Sequence, residues 1–187
     1  MVTTGTCAEY MTMSPQCDET EMVLSPHTLY GRSKHHLHRQ LELFAAQAGT
    51  SLAWGRVFFP YGAKQEATRL VPSTIHALQS GEPLLCHNPD QVCDFIHVDD
   101  IAQALVTLLD YECSGCFNIS TGIGHSVAEV VKTLASLMSR DTTVAKEVSN
   151  ATSAVNTPEW VGQPHRLQTE CGWQPQYDLQ EGLEQTV

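Results

Sequence analysis

The segment Tyr30-Gly31-Arg32-Ser33-Lys34 sets a phenol and an ammonium four residues apart. On a helix that spacing stacks the two on one face, with about 6 Å between their stems. A free tyrosine titrates near a pKa of about 10 and is a poor base in neutral water. A neighbouring cation favours the phenolate and lowers that value. The pair can therefore pass a proton to or from a hydroxyl or carbonyl substrate. Tyr-x3-Lys also recurs by chance on solvated helix faces, so its surroundings must carry the argument.

Other reactive side chains have simpler readings. His35, His36 and His38 follow Lys34, and His35 with His38 has metal-ligand spacing. No carboxylate or cysteine sits at a fixed offset from them, so they read as a solvated helix face and no metal site is expected. His97, in an apolar stretch, reads as a hydrogen-bonded core residue. Asp94, Asp99 and Asp100 are explained by a helix cap plus one buried, hydrogen-bonded carboxylate rather than by a cation site. Cys113-Ser114-Gly115-Cys116 has the spacing of a redox pair or half a zinc site. It lacks a second ligand pair and a thioredoxin-like context, so two small residues entering a buried strand is the simpler reading.

The elements that must position these residues follow from periodicity and punctuation. Residues 1–6 read as a strand end running into a loop, and 11–27 as a polar, Pro-containing loop. A helix begins near Thr28 and runs to about Ala48, with Leu29, Leu37, Leu41, Phe44 and Ala48 at helical spacing and Gly49 as its stop. Residues 51–58 suit a buried strand, and 60–62 (Pro-Tyr-Gly) a turn. A second helix is expected over 69–79, ended by Gly81. Short strands are expected over 83–86 and 92–98. Asp99-Asp100 would cap a helix to about Leu109, and 116–119 form another strand. Ser126 opens a helix through Met138, with Glu129 in the capping-box position. Residues 139–160 read as mostly loop, 172–175 as a turn, and 179–187 as a last helix. Strands alternating with helices make the class α/β.

Composition limits the partners. The chain has 187 residues, 42% of them apolar, with 10 Lys plus Arg against 21 Asp plus Glu, a net charge of −11. That deficit of basic residues excludes nucleic acid as a ready partner and disfavours an anionic membrane surface. No apolar run is long enough to span a bilayer, and the first ten residues lack the pattern of a signal peptide. Seven scattered cysteines read as free thiols in a reducing cytoplasm.

The order of motifs resembles a known family. Thr3-Thr4-Gly5-Thr6-Cys7-Ala8-Glu9-Tyr10 precedes Tyr30-x3-Lys34. Trp54-Gly55-Arg56-Val57-Phe58-Phe59-Pro60-Tyr61-Gly62 and Asp94-Phe95-Ile96-His97-Val98-Asp99-Asp100 follow. Arg166-Leu167 and Gly172-Trp173-Gln174-Pro175 through Gly182-Leu183 close the chain. Together these resemble the extended short-chain dehydrogenases/reductases, in their NAD-dependent epimerase/dehydratase branch acting on nucleotide sugars.

The resemblance implies roles. Tyr30 would be the acid/base, and Lys34 would lower its pKa and hydrogen-bond the nicotinamide ribose. Thr6 would hydrogen-bond the reacting sugar oxygen. Phe59 and Pro60 would line the nicotinamide of NAD or NADP. The position of Cys93 would face substrate, and Asn118 would be structural. The family also implies a possible homodimer, pairing through the helix of the Tyr-x3-Lys segment.

Three departures qualify those roles. No G-x-x-G-x-x-G turn exists to cradle a pyrophosphate; Gly122-Ile123-Gly124 reads as a turn. Cys93 stands where the family usually has an arginine for substrate phosphate, and a thiol supplies no bidentate charged contact. Arg69, Lys64 or Arg56 is the remaining candidate for that phosphate. Cys7 and Ala8 stand where the 4,6-dehydratases place Asp and Glu, which favours epimerisation or keto-sugar reduction over dehydration.

The expected fold is thus α/β, the C-terminal part of an N-terminally truncated Rossmann fold. It would consist of the last core strands plus the smaller substrate-binding lobe. Residues 1–62 would form core with the Tyr-x3-Lys helix, and 63–187 mainly the lobe interleaved with returning core elements. The expected activity is an NAD(P)-dependent nucleotide-sugar epimerase or 4-keto-sugar reductase. The alternative is an inactive remnant that binds other proteins. For the isolated chain, weak cofactor binding, no turnover and self-association through an unpaired strand edge are expected.

Overall fold

The computed structural model describes residues 1–10, 17–20, 24–81, 86, 88–140 and 159–187. Its centre is a parallel three-stranded sheet in the order β1 (Val2–Thr6), β2 (Ala53–Val57), β6 (Gly115–Ile119). Thr6 is level with Val57, and Val57 with Ile119, so the three strands end together. Parallel strands need cover on both faces. Neighbouring residues of β2 show both covers. Trp54 stacks on His38 of α1 (Leu29–Ala48), while a side chain at Gly55 would strike Ile119 and Leu105 beside α3 (Val98–Asp110). Side chains alternate across a strand, so α1 and α3 lie on opposite faces. The core on the α3 side joins Ala53, Ile101, Ala104, Leu108, Phe117 and Ile119 to Leu167 of α5 (His165–Cys171).

A second, smaller assembly grows from the strand ends. The chain leaves β2 into β3 (Phe59–Tyr61), which pairs in parallel with β5 (Phe95–His97). β4 (Val92–Cys93) pairs antiparallel with β7 (His125–Ser126). Helices α2 (Leu70–Ser80), α4 (Val127–Leu137) and α6 (Leu179–Thr186) pack over them around Tyr61, Val71, Phe95, Leu134 and Leu183.

Local signals act largely where expected. Thr28 caps α1, its hydroxyl accepting from Gly31 N at 3.0 Å, and Gly49 ends it in the left-handed conformation at φ 63°. Ser126 and Glu129 form a reciprocal capping box on α4. Gly81 closes α2 at φ 72°.

Several expectations are corrected. Phe59–Tyr61 is a strand, not a turn; Pro60 is tolerated because β3 pairs on one side only. α3 starts at Val98 with His97 as its cap, since His97 Nδ1 accepts from Asp99 N at 3.4 Å. Asp100 is instead buried, accepting from Gln176 N and Tyr177 N. α5 has no counterpart in the sequence reading. The two cysteines of the CxxC segment do not pair: Cys113 Sγ lies 2.8 Å from Cys171 Sγ, and Cys116 Sγ 3.6 Å from His38 Nε2. The strand expected over 83–86 falls mostly outside the described residues, as do most of the loops expected over 11–27 and 139–160.

The α/β class stands, but the expected placement within it does not. The motifs place the chain as the C-terminal part of a Rossmann fold, its last core strands plus the smaller substrate-binding lobe, and the structure does not agree. The parallel Rossmann-like sheet starts at residue 2 and organises the chain from its front. No helix among the described residues is long and apolar enough to cross a membrane.

Candidate active site

In open parallel sheets, ligands bind beyond the carboxyl ends of the strands. A cleft of about 800 Å³ lies there, lined by Thr6 at the end of β1, Val57 at the end of β2, Tyr30, Phe59, Pro60 and Arg69. Five of the seven expected site residues thus share one cavity.

Each is placed by a local device. Thr6 caps a 3-10 turn (Cys7–Glu9): its Oγ1 accepts from Ala8 N at 3.2 Å and its own N–H donates to Glu9 Oε1 at 3.3 Å. The hydroxyl proton remains available to a substrate oxygen. Tyr30 occupies the first turn of α1 and is about half exposed at the cleft. Gly31 lets α1 approach the turn, because a Cβ there would collide with the Ala8 carbonyl oxygen. Lys34, one turn on, donates through Nζ to Thr4 O at 3.0 Å. That leaves two ammonium N–H groups for other acceptors. Lys34 does not line the cleft itself.

Phe59 packs against Phe95 and Trp160, and Gln65 Nε2 donates to Pro60 O at 2.8 Å. Arg69, at the N-terminus of α2, is exposed. Cys93 is not brought to the cleft. It is buried in the core of the smaller assembly, and burial pushes its thiol up to about 12.

Beneath the cleft runs a buried polar network that sequence reasoning missed. Glu9 accepts from Trp54 Nε1 at 2.8 Å and from Arg56 Nε at 3.3 Å. Arg56 Nη1 also donates to Tyr10 Oη, and Tyr10 donates to Asn118 Oδ1 at 2.7 Å. Asn118 Nδ2 continues to Cys17 O at 2.8 Å, the structural role expected of it. Burial pushes the Tyr10 phenol well up, against the pull of Arg56, so it stays a neutral donor. Arg56 is buried in this network and is not free to meet a substrate phosphate. Cys7 lines the cleft beside Thr6, but burial raises its thiol far above neutrality and it offers no acid/base at that position.

The histidine face is also corrected. His36 is exposed, but His38 is buried and stacked on Trp54, with ring centroids 4.5 Å apart. The only sequence signal was the apolar rhythm of α1, which does not reveal what β2 places beneath it.

Residues 1–120 match the sequence model of the NAD dependent epimerase/dehydratase family. The chain belongs to that family. The matched stretch includes the whole parallel sheet, so the front of the chain is the family's Rossmann-like, cofactor-binding part rather than its C-terminal end. The UDP-glucose 4-epimerase of Rhizobium meliloti (strain 1021) is 28% identical over 204 residues, covering 95% of this chain and 60% of that protein. Among solved structures, MoeE5 in complex with UDP-glucuronic acid and NAD is 27% identical at a TM-score of 0.86, covering 99% of this chain and 62% of that one. RMD from Pseudomonas aeruginosa, complexed with NADPH, shares the fold at a TM-score of 0.86 and 19% identity, covering 99% and 64%. The chain spans about half the length of the curated relatives it matches.

Proposed function

We propose that this chain carries the proton-transfer site of an NAD(P)-dependent nucleotide-sugar epimerase or 4-keto-sugar reductase. One observation carries the reading: Thr6 and Tyr30 meet in a single cleft at the carboxyl end of a parallel sheet, with Lys34 one turn along the Tyr30 helix. The cavity fits the nicotinamide end of a dinucleotide, since Phe59 and Pro60 form an apolar wall; Lys34, outside the cleft lining, retains two donors for ribose hydroxyls. A bound nicotinamide would supply hydride exchange with a sugar carbon.

The chain's own residues do the rest. Thr6 holds the reacting sugar oxygen through its free hydroxyl proton. Tyr30 takes or returns the proton on that oxygen. Arg69, the exposed cation of the cleft, offers the charge-assisted contact to a substrate phosphate that Cys93 cannot. Dehydration is disfavoured, because neither the Cys7 thiol nor Ala8 can move a second proton there.

A second reading has its own support. The sequence has no glycine-rich pyrophosphate turn, and the usual arginine is a buried cysteine. On that reading the chain binds a partner and turns nothing over.

The purified chain is offered NAD+ with UDP-glucose, and NADPH with a 4-keto nucleotide sugar, and products are followed by chromatography. Conversion that falls by at least about a hundredfold in Tyr30→Phe, with unfolding temperature unchanged, supports the enzyme. Weak cofactor binding without turnover is compatible with the isolated chain; no calorimetric binding of NAD+ or NADPH even at millimolar concentration overturns the enzyme in favour of the binding protein.

A further inference from the structure

The buried side of α1 holds a cluster the proposed reaction does not use. His35 and His38 lie three residues apart and turn their Nδ1 atoms toward the same oxygen, Glu9 Oε2, at 3.9 and 3.8 Å. Those distances are too long for hydrogen bonds. Both Nδ1 atoms are buried and neither has a hydrogen-bond partner. Folded proteins rarely leave buried ring nitrogens unpaired, so two aimed at one carboxylate need a reason.

The surroundings hold these atoms ready. Trp54 stacks on the His38 ring at an interplanar angle of 12°. The other nitrogen of His38, Nε2, faces Glu42 Oε1 at 3.5 Å and the Cys116 thiol at 3.6 Å. A carboxylate on the far nitrogen is the usual outer partner of a metal-bound histidine, because it keeps the proton there and leaves the near lone pair free. Trp54 Nε1 and Thr6 N occupy Glu9 Oε1, which leaves Oε2 facing the histidines and Arg56.

We propose that Glu9 Oε2, His35 Nδ1 and His38 Nδ1 bind a divalent transition-metal ion of the zinc class. The three atoms lie within 4.8 Å of one another. Metal–ligand bonds of about 2.0–2.2 Å place tetrahedral ligands roughly 3.3–3.5 Å apart, so each histidine nitrogen moves about half an ångström closer to Glu9 Oε2 on binding, and the two nitrogens close by up to about 1.4 Å on each other. Two imidazoles and a carboxylate suit zinc and its neighbours, whereas magnesium and calcium take oxygen ligands. The partly exposed His35 leaves a fourth position to water. Arg56 beside the same oxygen opposes a second positive charge and keeps the affinity modest. A bound ion would tie the turn after Thr6 to the helix bearing Tyr30 and Lys34.

Cobalt(II) is the probe, titrated into the metal-free full chain and then displaced by zinc. The expected result is one equivalent bound, with visible d–d absorption and no near-ultraviolet thiolate charge-transfer band. His35→Asn and His38→Asn should each weaken binding at least about tenfold, and Glu42→Gln by a smaller factor, while His36→Asn leaves it unchanged. His35 is partly exposed, so its variant keeps the test decisive if His38→Asn fails to fold. A thiolate band, equal affinity in His35→Asn and the parent chain, or no binding up to millimolar cobalt would overturn the assignment.

Discussion

Glu9 and Asp94 are both fully buried beside residues that line the cleft, yet they are held in opposite ways. Glu9 is matched by a buried cation, with Arg56 Nε at 3.3 Å and Trp54 Nε1 at 2.8 Å. Asp94 has only neutral donors. Thr121 N and Oγ1 reach its Oδ1 at 2.8 and 2.7 Å, and Gly122 N and Gly162 N reach its Oδ2 at 2.9 and 3.2 Å. The first carboxylate fastens β2 to the turn behind Thr6. The second fastens the segment between β4 and β5 to two loops. Burial outweighs the four donors and raises the Asp94 pKa above the usual carboxylate range. One anchor therefore depends on charge balance and the other on the direction of four bonds.

The largest effect should come from unbalancing the charged anchor. Arg56→Met leaves Glu9 buried without its cation and should cost about 3–5 kcal/mol, read as a fall in urea midpoint. The double variant Glu9→Gln, Arg56→Met should regain most of that loss. A single variant as stable as the parent would remove the distinction between the anchors.

Asp94→Asn should cost less, about 2–3 kcal/mol. Its amide nitrogen would face Gly122 N–H or Thr121 N–H, leaving a donor opposite a donor. Equal stability would mean that shape, not bond direction, fixes this knot. Gly31→Ala should follow at about 1–2 kcal/mol, since the new methyl must push α1 away from Ala8. Because that turn carries both Thr6 and Glu9, turnover should fall by more than the stability loss predicts.

The smallest effect is in pH. A carboxyl whose folded pKa is raised binds its proton more tightly in the folded state than in the unfolded chain. Its contribution to stability therefore declines as pH rises from the ordinary carboxylate range through the raised value. Thermal unfolding of the parent minus Asp94→Asn should show the largest gap at the acidic end of that window. A gap that widens with rising pH would break this assignment.

What the sequence disclosed were features written over a few residues. Thr28 and Gly49 bound α1, Ser126 and Glu129 cap α4, and Tyr30 with Lys34 share one helix, because each depends on offsets a helix itself defines. Glu9 with Arg56, and His38 with Trp54, were illegible. Their partners sit in different elements, and no periodicity in one helix reports what the opposing strand supplies. Asp99 and Asp100 look alike as cap residues, yet His97 takes the cap and Asp100 turns inward to Gln176 and Tyr177. That choice is made by a segment more than seventy positions downstream. β3 was misread for a related reason: Pro60 signals a turn locally, and only its pairing with β5 makes the extended form the better one.

The pairing order of the central sheet carries a consequence for how the chain is made. β1 aligns Val2 with Ala53, and β2 aligns Ala53 with Gly115. A growing chain releases β1 long before β2 exists, and β2 must wait again for β6. Long-range parallel pairing forms slowly, because distant loops must close before any contact rewards them. During synthesis, α1 can coil on its own before the β1–β2 pairing closes, and an unclosed pairing is prone to stray association. The late arrival of residues 115–119, rather than the strength of any one helix, should set the pace of successful folding.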